Sequence, residues 1–366
     1  MALASCAPPS ETDKLAHPSL AIFRLDRAAA AASHEGRATS LEDLDLGRAH
    51  QHPFDPGTAA RNLAATVLGQ DEVLRRVIDR LTLTRTKLDA KPDRPDAVFL
   101  FVGPTGVGKT ALAHALAREV YGSESAVLRL DMSEFAEPHT TSKLVGSPPG
   151  YVGFTDPEGW LTTRIRGNPS VVLLLDEIEK AHPQVWNTFL QVFDAGRLTD
   201  SQGRTARFAE TVIIMTSNIG AETFASDASL GFGERDRSAE SEERSVLRAV
   251  KGRMAPELLN RLDDILVFRP LSPESILGIT RNEIAHAVER ARSRGFDLAV
   301  SEAAIRAIAQ AGYSREYGAR PLHRAVERLV LAPLARLTPG NCICDVANGE
   351  VTVLPAAGPD VASHQQ

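Results

Sequence analysis

The chain has 366 residues, 43% hydrophobic and 24% charged, with a formal net charge of -6. That is ordinary globular composition, enough for one large domain and a smaller one. The acidic balance argues against nucleic acid or a membrane surface as partner, and no apolar run approaches the ~20 residues of a membrane helix.

Residues 1–57 are rich in Ala, Pro, Ser, His and charge and show little periodicity, so they read as a weakly ordered arm. The opening MALASC has too few residues before Cys6 for a cleaved leader, and the expected location is cytoplasmic. From Thr58 the stretch AARNLAATVLGQDEVLRRVIDRLTLTRTKL has helical spacing on both sides of a break at Gly69. After the loop KPDRPD comes AVFLFVG, a continuous apolar run that predicts a strand buried on both faces. A glycine-rich turn leads into the amphipathic helix ALAHALAREVY. AVLRLDM, VVLLLDE and TVIIMTSN predict three more buried strands, separated by helices, which gives a parallel α/β sheet.

Residues 225–245, centred on ERDRSAESEER, read as a polar loop. Beyond Pro270 the texture turns helical in SPESILGITRNEIAHAVERARSRG, SEAAIRAIAQAGY and RPLHRAVERLVLAPLARL, followed by the alternating strand GEVTVLP. Cys342 and Cys344 complete an odd, sparse set of three cysteines, which reads as unpaired thiols rather than a disulfide framework or zinc site. The expected organisation is an arm (1–57), a large domain (58–270), a small domain (271–356) and a tail (357–366).

Residues 103–110, GPTGVGKT, match the phosphate-loop pattern G-x-x-x-x-G-K-[ST], between a buried strand and a helix as that pattern requires. Gly103, Gly106 and Gly108 let the backbone curl its N–H groups toward phosphates, with Pro104, Thr105 and Val107 in the same cradle. Lys109 supplies a point charge for the β and γ phosphates, and the Thr110 hydroxyl is a ligand for Mg²⁺. Asp176, ending a buried strand, can hold the same Mg²⁺ through water, and Glu177 is placed as general base toward an attacking water. Asn218 ends another strand, as a turn former or as an amide orienting that water.

The runs SKLVGSPPGYVGF, LLLDEIEKAHPQVWNTFLQVFDAGRLTDSQGRT, LLNRLDDILVFRPLSPE and YGARPLHRAVERLV, together with the phosphate loop, resemble the second ATPase module of the Clp/ClpB unfoldases over roughly residues 65–355. The resemblance implies an AAA+ P-loop fold with a five-stranded parallel sheet and a smaller, mostly helical C-terminal domain with a short strand element. It implies a homo-hexamer that hydrolyses ATP with Mg²⁺ and threads unfolded or tagged polypeptide through its pore. Asn218 then matches the sensor on the γ-phosphate, Arg261 the arginine finger given to a neighbouring subunit, and Arg320 the small-domain sensor. Leu68 and Gly69 match the segment packed on adenine.

Gly150, Tyr151, Val152 and Gly153 match the pore loop, whose aromatic ring grips polypeptide by apolar contact. DAGRLTDSQGRT resembles a second pore-facing hairpin. Leu230, Gly231 and Phe232 resemble the tripeptide by which some relatives dock a ClpP-type peptidase, although such a triplet also anchors a loop on its own domain. Two other functions stay open at this level: a motor dedicated to one assembly, such as a secretion sheath, and a slowly hydrolysing scaffold.

Overall fold

The computed structural model describes residues 52–146, 159–225, 239–314 and 317–356. Asp55 caps the first helix among the described residues, α1 (Pro56–Thr66), accepting a 2.7 Å bond from the Thr58 N–H, with Pro56 in the first turn. Among those residues regular structure therefore begins at Pro56 rather than at Thr58. Gly69, at a φ of 75°, turns the chain into α2 (Asp71–Arg85).

The strand β1 (Ala97–Val102) is buried at every residue and lies inside a five-stranded parallel sheet. It is followed by α3 (Lys109–Tyr121), β2 (Val127–Asp131), α4 (Leu161–Gly167), β3 (Val172–Asp176) and α5 (Pro183–Ala195). A hairpin of β4 (Arg197–Thr199) and β5 (Thr205–Arg207) stands apart from the sheet. The sheet is completed by β6 (Val212–Ser217) and, after α6 (Ala239–Arg253), by β7 (Asp264–Val267), in the order β2-β3-β6-β1-β7.

The unbroken apolar runs follow from a sheet covered on both faces. On one face Val98, Leu100 and Val102 of β1 join Val185, Phe189 and Val192 of α5. On the other, Phe99 and Phe101 join Leu63, Val77, Leu112 and Leu116 of α1, α2 and α3. Because β3, β6 and β1 are adjacent and parallel, their C-terminal ends, at Asp176, Ser217 and Val102, open at the same edge. That edge is where ligands bind in open α/β sheets.

Two expectations need correction. The polar loop of 225–245 gives way to α6 at Ala239: Glu240 and Glu242 sit at its positive end, and the fully buried Val246 and Val250 anchor it. The last strand is not alone. After α7 (Pro273–Arg292), β8 (Asp297–Val300), α8 (Glu302–Gly312) and α9 (Leu322–Val326), the strands β9 (Asn341–Ala347) and β10 (Glu350–Pro355) join β8 in a second sheet. From α9 the chain continues through a wide π turn at Glu327–Leu331. Asn348 and Gly349, both with positive φ, make the β9–β10 turn. Cys342 and Cys344, two apart on β9, face the same buried side beside Ile308 and Val330. Both cysteines are free thiols of this core, and burial pushes the Cys344 thiol up to about 11.

Candidate nucleotide site

The phosphate loop is shaped by close backbone approach as much as by torsion. Gly103 and Gly106 hold φ of 140° and 74°. A Cβ at Gly103 would lie 2.3 Å from the Phe268 carbonyl, and one at Gly106 would lie 2.0 Å from the Tyr317 carbonyl. Gly108 precedes α3 with no side-chain cap, which leaves the first-turn N–H groups and the positive helix end to an anion.

Lys109 is 9% exposed. Its ammonium donates to the Gly103 and Pro104 carbonyls at 2.5 and 2.9 Å and to Asn218 Oδ1 at 3.0 Å. Burial lowers its pKa from 10.5 to about 8, against the pull of Glu179, Asp176 and Glu177. Asn218 is held in turn by its backbone N–H, which donates 3.1 Å to Glu179 Oε1. Asp176 accepts from the Thr216 hydroxyl and pairs with Arg129 at 2.6 Å. Glu177 adopts a left-handed backbone, φ 59° and ψ 52°, uncommon for a non-glycine and steadied by a 3.1 Å bond from its N–H to Thr216 Oγ1. Its carboxylate pairs with Lys180 at 2.5 Å.

These groups line a cleft of about 910 Å³ that also takes in Thr105, Val107, Thr110 and, from the small domain, Arg320. Its far wall is Val67 and Leu68 facing Ile279, Asn282 and His286 of α7. Leu68 packs against Gly278, where a Cβ would come within 2.5 Å of its Cδ1. Gly69 approaches Ser275 just as closely, at 2.4 Å from its Oγ. The small domain also touches the phosphate loop itself: the Ala319 N–H donates 3.0 Å to the Gly106 carbonyl. Gly318, at φ 58°, could carry no Cβ without meeting the Gly106 and Thr105 oxygens at 2.6 and 2.7 Å.

The groups present suit a nucleotide triphosphate with Mg²⁺. Backbone N–H groups, one desolvated ammonium and three arginines, Arg118, Arg129 and Arg320, line the cleft, with hydroxyls and carboxylates as hard oxygen donors. One carboxylate oxygen, Glu179 Oε2, is buried with no hydrogen-bond partner.

Arg261 lies elsewhere. It lines a separate groove with Leu190, Asp194, Arg197 and Thr199, pairs with Asp194 at 2.5 Å, and donates 2.6 Å to the Glu257 carbonyl. The β4–β5 hairpin is tied by Asp200, whose buried carboxylate accepts the N–H groups of Gln202 and Arg204 at 2.9 Å each. Gly150, Tyr151, Val152 and Gly153, and the triplet Leu230, Gly231 and Phe232, lie outside the described residues.

Comparison with known proteins matches residues 94–265 to the AAA domain (Cdc48 subfamily) and residues 271–345 to the C-terminal, D2-small domain of ClpB protein. The chain carries an AAA domain followed by a small domain of the ClpB type, consistent with a ClpB-like C-terminal ATPase module. It is 50% identical over 270 residues to a chaperone protein ClpB of Gloeobacter violaceus, covering 74% of this chain and 30% of that protein. It is 45% identical over 276 residues to heat shock protein 100 of Trypanosoma brucei brucei, covering 75% and 31%. Among solved structures it resembles Hsp104, in a closed state with ATPγS and FITC casein, with a TM-score of 0.72 and 35% identity over 82% of this chain and 52% of that one. The chain spans about 30% of the length of the curated ClpB relatives it matches.

Several residues of this site escape sequence reasoning. Arg129 is the one charge inside the run AVLRL, and that isolation is its local signal. Gln70 follows the named pair Leu68 and Gly69. It is 4% exposed, donating to the Arg269 carbonyl at 2.9 Å and accepting from the Arg269 N–H at 3.1 Å. Asn282 and His286 carry no local signal, because only the fold brings them to the cleft, whereas Glu179 and Lys180 stand behind it, bonded to Asn218 and Glu177. Among the described residues no helix is long and apolar enough to cross a membrane.

Proposed function

We propose that this chain is a cytoplasmic ATP-hydrolysing subunit of a homo-hexameric ring that draws unfolded or tagged polypeptide through its pore, with the large domain over 58–270 and the small domain over 271–356. The observation that carries this reading is a separation. Lys109, Asp176, Glu177, Asn218 and Arg320 line one cleft, while Arg261 stands at a different groove. A site complete but for one cation, and a cation with no phosphate site of its own, suit completion by a second copy.

In this reading the loop from Gly103 to Gly108 binds the phosphates through its N–H groups, and Lys109 places positive charge at the β and γ phosphates. Leu68, Gly69 and the facing residues of α7 enclose the adenine. Thr110 and Asp176 would hold Mg²⁺, which supplies neutralisation of charge on the phosphate oxygens. Glu177 accepts a proton from the attacking water as its oxygen bonds to the γ-phosphorus and the bond to ADP breaks. To do so it must leave Lys180. Asn218, already in contact with Lys109, orients the water or reads the γ-phosphate.

Arg261 of an adjoining subunit stabilises the charge of the transition state, a contribution worth ~10³–10⁵ in rate in well-studied nucleotide hydrolases. Arg320 arrives on the same segment that bonds to Gly106, so nucleotide contact and the angle between domains are linked. Tyr151, between Gly150 and Val152-Gly153, then grips substrate. That Hsp104 was solved with casein supports an extended, unfolded polypeptide as the substrate class.

The test is a substrate trap. In ATP, Glu177→Gln should bind nucleotide, cease turnover and co-sediment with fluorescent casein, while wild type releases it. Turnover by Glu177→Gln at the wild-type rate would contradict the assignment.

A further inference from the structure

An arginine that acts on a neighbour must be held still by its own subunit. Arg261 follows a four-residue helix, Pro256–Leu259, and its backbone carbonyl accepts a 2.8 Å hydrogen bond from Nη2 of Arg94. Arg94 lies in the loop before β1, with its side chain 16% exposed. Its Nε donates 2.7 Å to the Phe193 carbonyl in the last turn of α5, and its Nη1 faces Asp263 at 3.5 Å. Asp263 in turn accepts a 2.7 Å bond from the Val98 N–H at the start of β1 and pairs with Arg80 at 3.1 Å. The next residue, Asp264, takes Nε and Nη2 of Arg76. Arg76 and Arg80 lie one turn apart on α2, the helix that starts beside Gly69 at the nucleotide cleft.

We propose that Arg94 is a positioning residue for Arg261, fixing the turn that presents this arginine to the next subunit's nucleotide. Three elements converge on one guanidinium: the end of α5, the Asp263 turn and the carbonyl of Arg261 itself. A planar fork with five donors can serve all three at once, and a lysine cannot. Through Asp263 the same fork is tied to Arg80 in the middle of α2, the helix that follows Leu68 at the nucleotide cleft. The inference rests on the proposed action of Arg261 in trans.

The experiment uses the full chain and mixed rings. Arg94→Gln should lower kcat at least ~10-fold, since misplacement by about 1 Å can cost ~10²-fold. Its KM and its affinity for a fluorescent ATP analogue should stay within about twofold, because its own cleft is untouched. Arg94→Lys should fall between wild type and Arg94→Gln, and it serves alone if the glutamine variant does not fold.

The discriminating step adds the Glu177→Gln chain, whose own site is dead but whose Arg261 is intact. Turnover per Arg94→Gln subunit should then rise, as it should for Arg261→Ala mixed in the same way. If Arg261→Ala is restored and Arg94→Gln is not, or if both Arg94 variants keep wild-type kcat, the positioning role is wrong. If Arg261→Ala itself is not restored, the reading in trans fails, and this inference fails with it.

Discussion

Replacing Gly318 by alanine separates the seam between the domains from ordinary stability. Gly318 sits at φ 58°, and a Cβ there would lie 2.6 Å from the Gly106 carbonyl oxygen and 2.7 Å from that of Thr105. Neither oxygen belongs to a side chain that can swing aside. The left-handed torsion costs an alanine about 1–2 kcal/mol. Opening the seam to relieve the contact also gives up the 3.0 Å bond from the Ala319 N–H to Gly106, about 0.5–1.5 kcal/mol net. That bond resists the opening, so it is the torsion and the contact that disfavour the docked arrangement, the torsion alone by about 1–2 kcal/mol, or roughly 5- to 30-fold in its population. Arg320, two residues on, leaves the cleft with the seam, so kcat/KM for ATP in the assembled protein should fall by a comparable factor.

Gly349→Ala is the control. Gly349 has φ 83° with nothing within 4 Å of its Cβ position, so it carries the torsional cost without the clash. It should melt slightly earlier than wild type and turn over normally. If both variants keep wild-type kcat/KM, contact between the small domain and the phosphate loop is not part of turnover.

Two further outcomes follow from side chains of the cleft. Lys109 titrates near 8 because it is buried, and phosphate favours its charged form, so nucleotide affinity should be flat below about pH 8 and weaken by up to about tenfold per unit above it. Lys109→Arg, always charged, should bind more weakly overall but without that inflection; fluorescent-ADP titrations at several pH values decide, and a wild-type affinity constant to about pH 9.5 would refute the argument. Gln70→Ala removes two part-buried hydrogen bonds to the Arg269 backbone, so unfolding by urea should shift by about 1–3 kcal/mol, with weaker nucleotide binding; an unchanged midpoint would show that the clamp contributes nothing.

What was legible in the sequence was what the chain holds in consecutive residues. Gly103 to Thr110 form one loop, and Asp176 with Glu177 and Asn218 end strands whose apolar runs announce them. The cleft joins them because β3, β6 and β1 are neighbours. The groups that hold these residues were not legible: Glu179 under Asn218, Thr216 against both Asp176 and the Glu177 N–H, Arg94 behind Arg261. Each depends on a contact across the fold that no local pattern encodes.

The helix from Ala239 was missed for a different reason. Its first turn is densely charged, and that polarity masks the buried spacing of Val246 and Val250. The second sheet was missed because β8 has only four residues, too few for alternation to stand out.

The most direct test of the central claim is ATP turnover per subunit against protein concentration, with assembly followed by sedimentation in the same buffer. If an adjoining subunit's Arg261 completes the site, turnover per subunit should be negligible for the monomer and rise with the assembled fraction. Turnover that is constant down to fully dissociated protein would contradict it, as would its absence from the assembled ring.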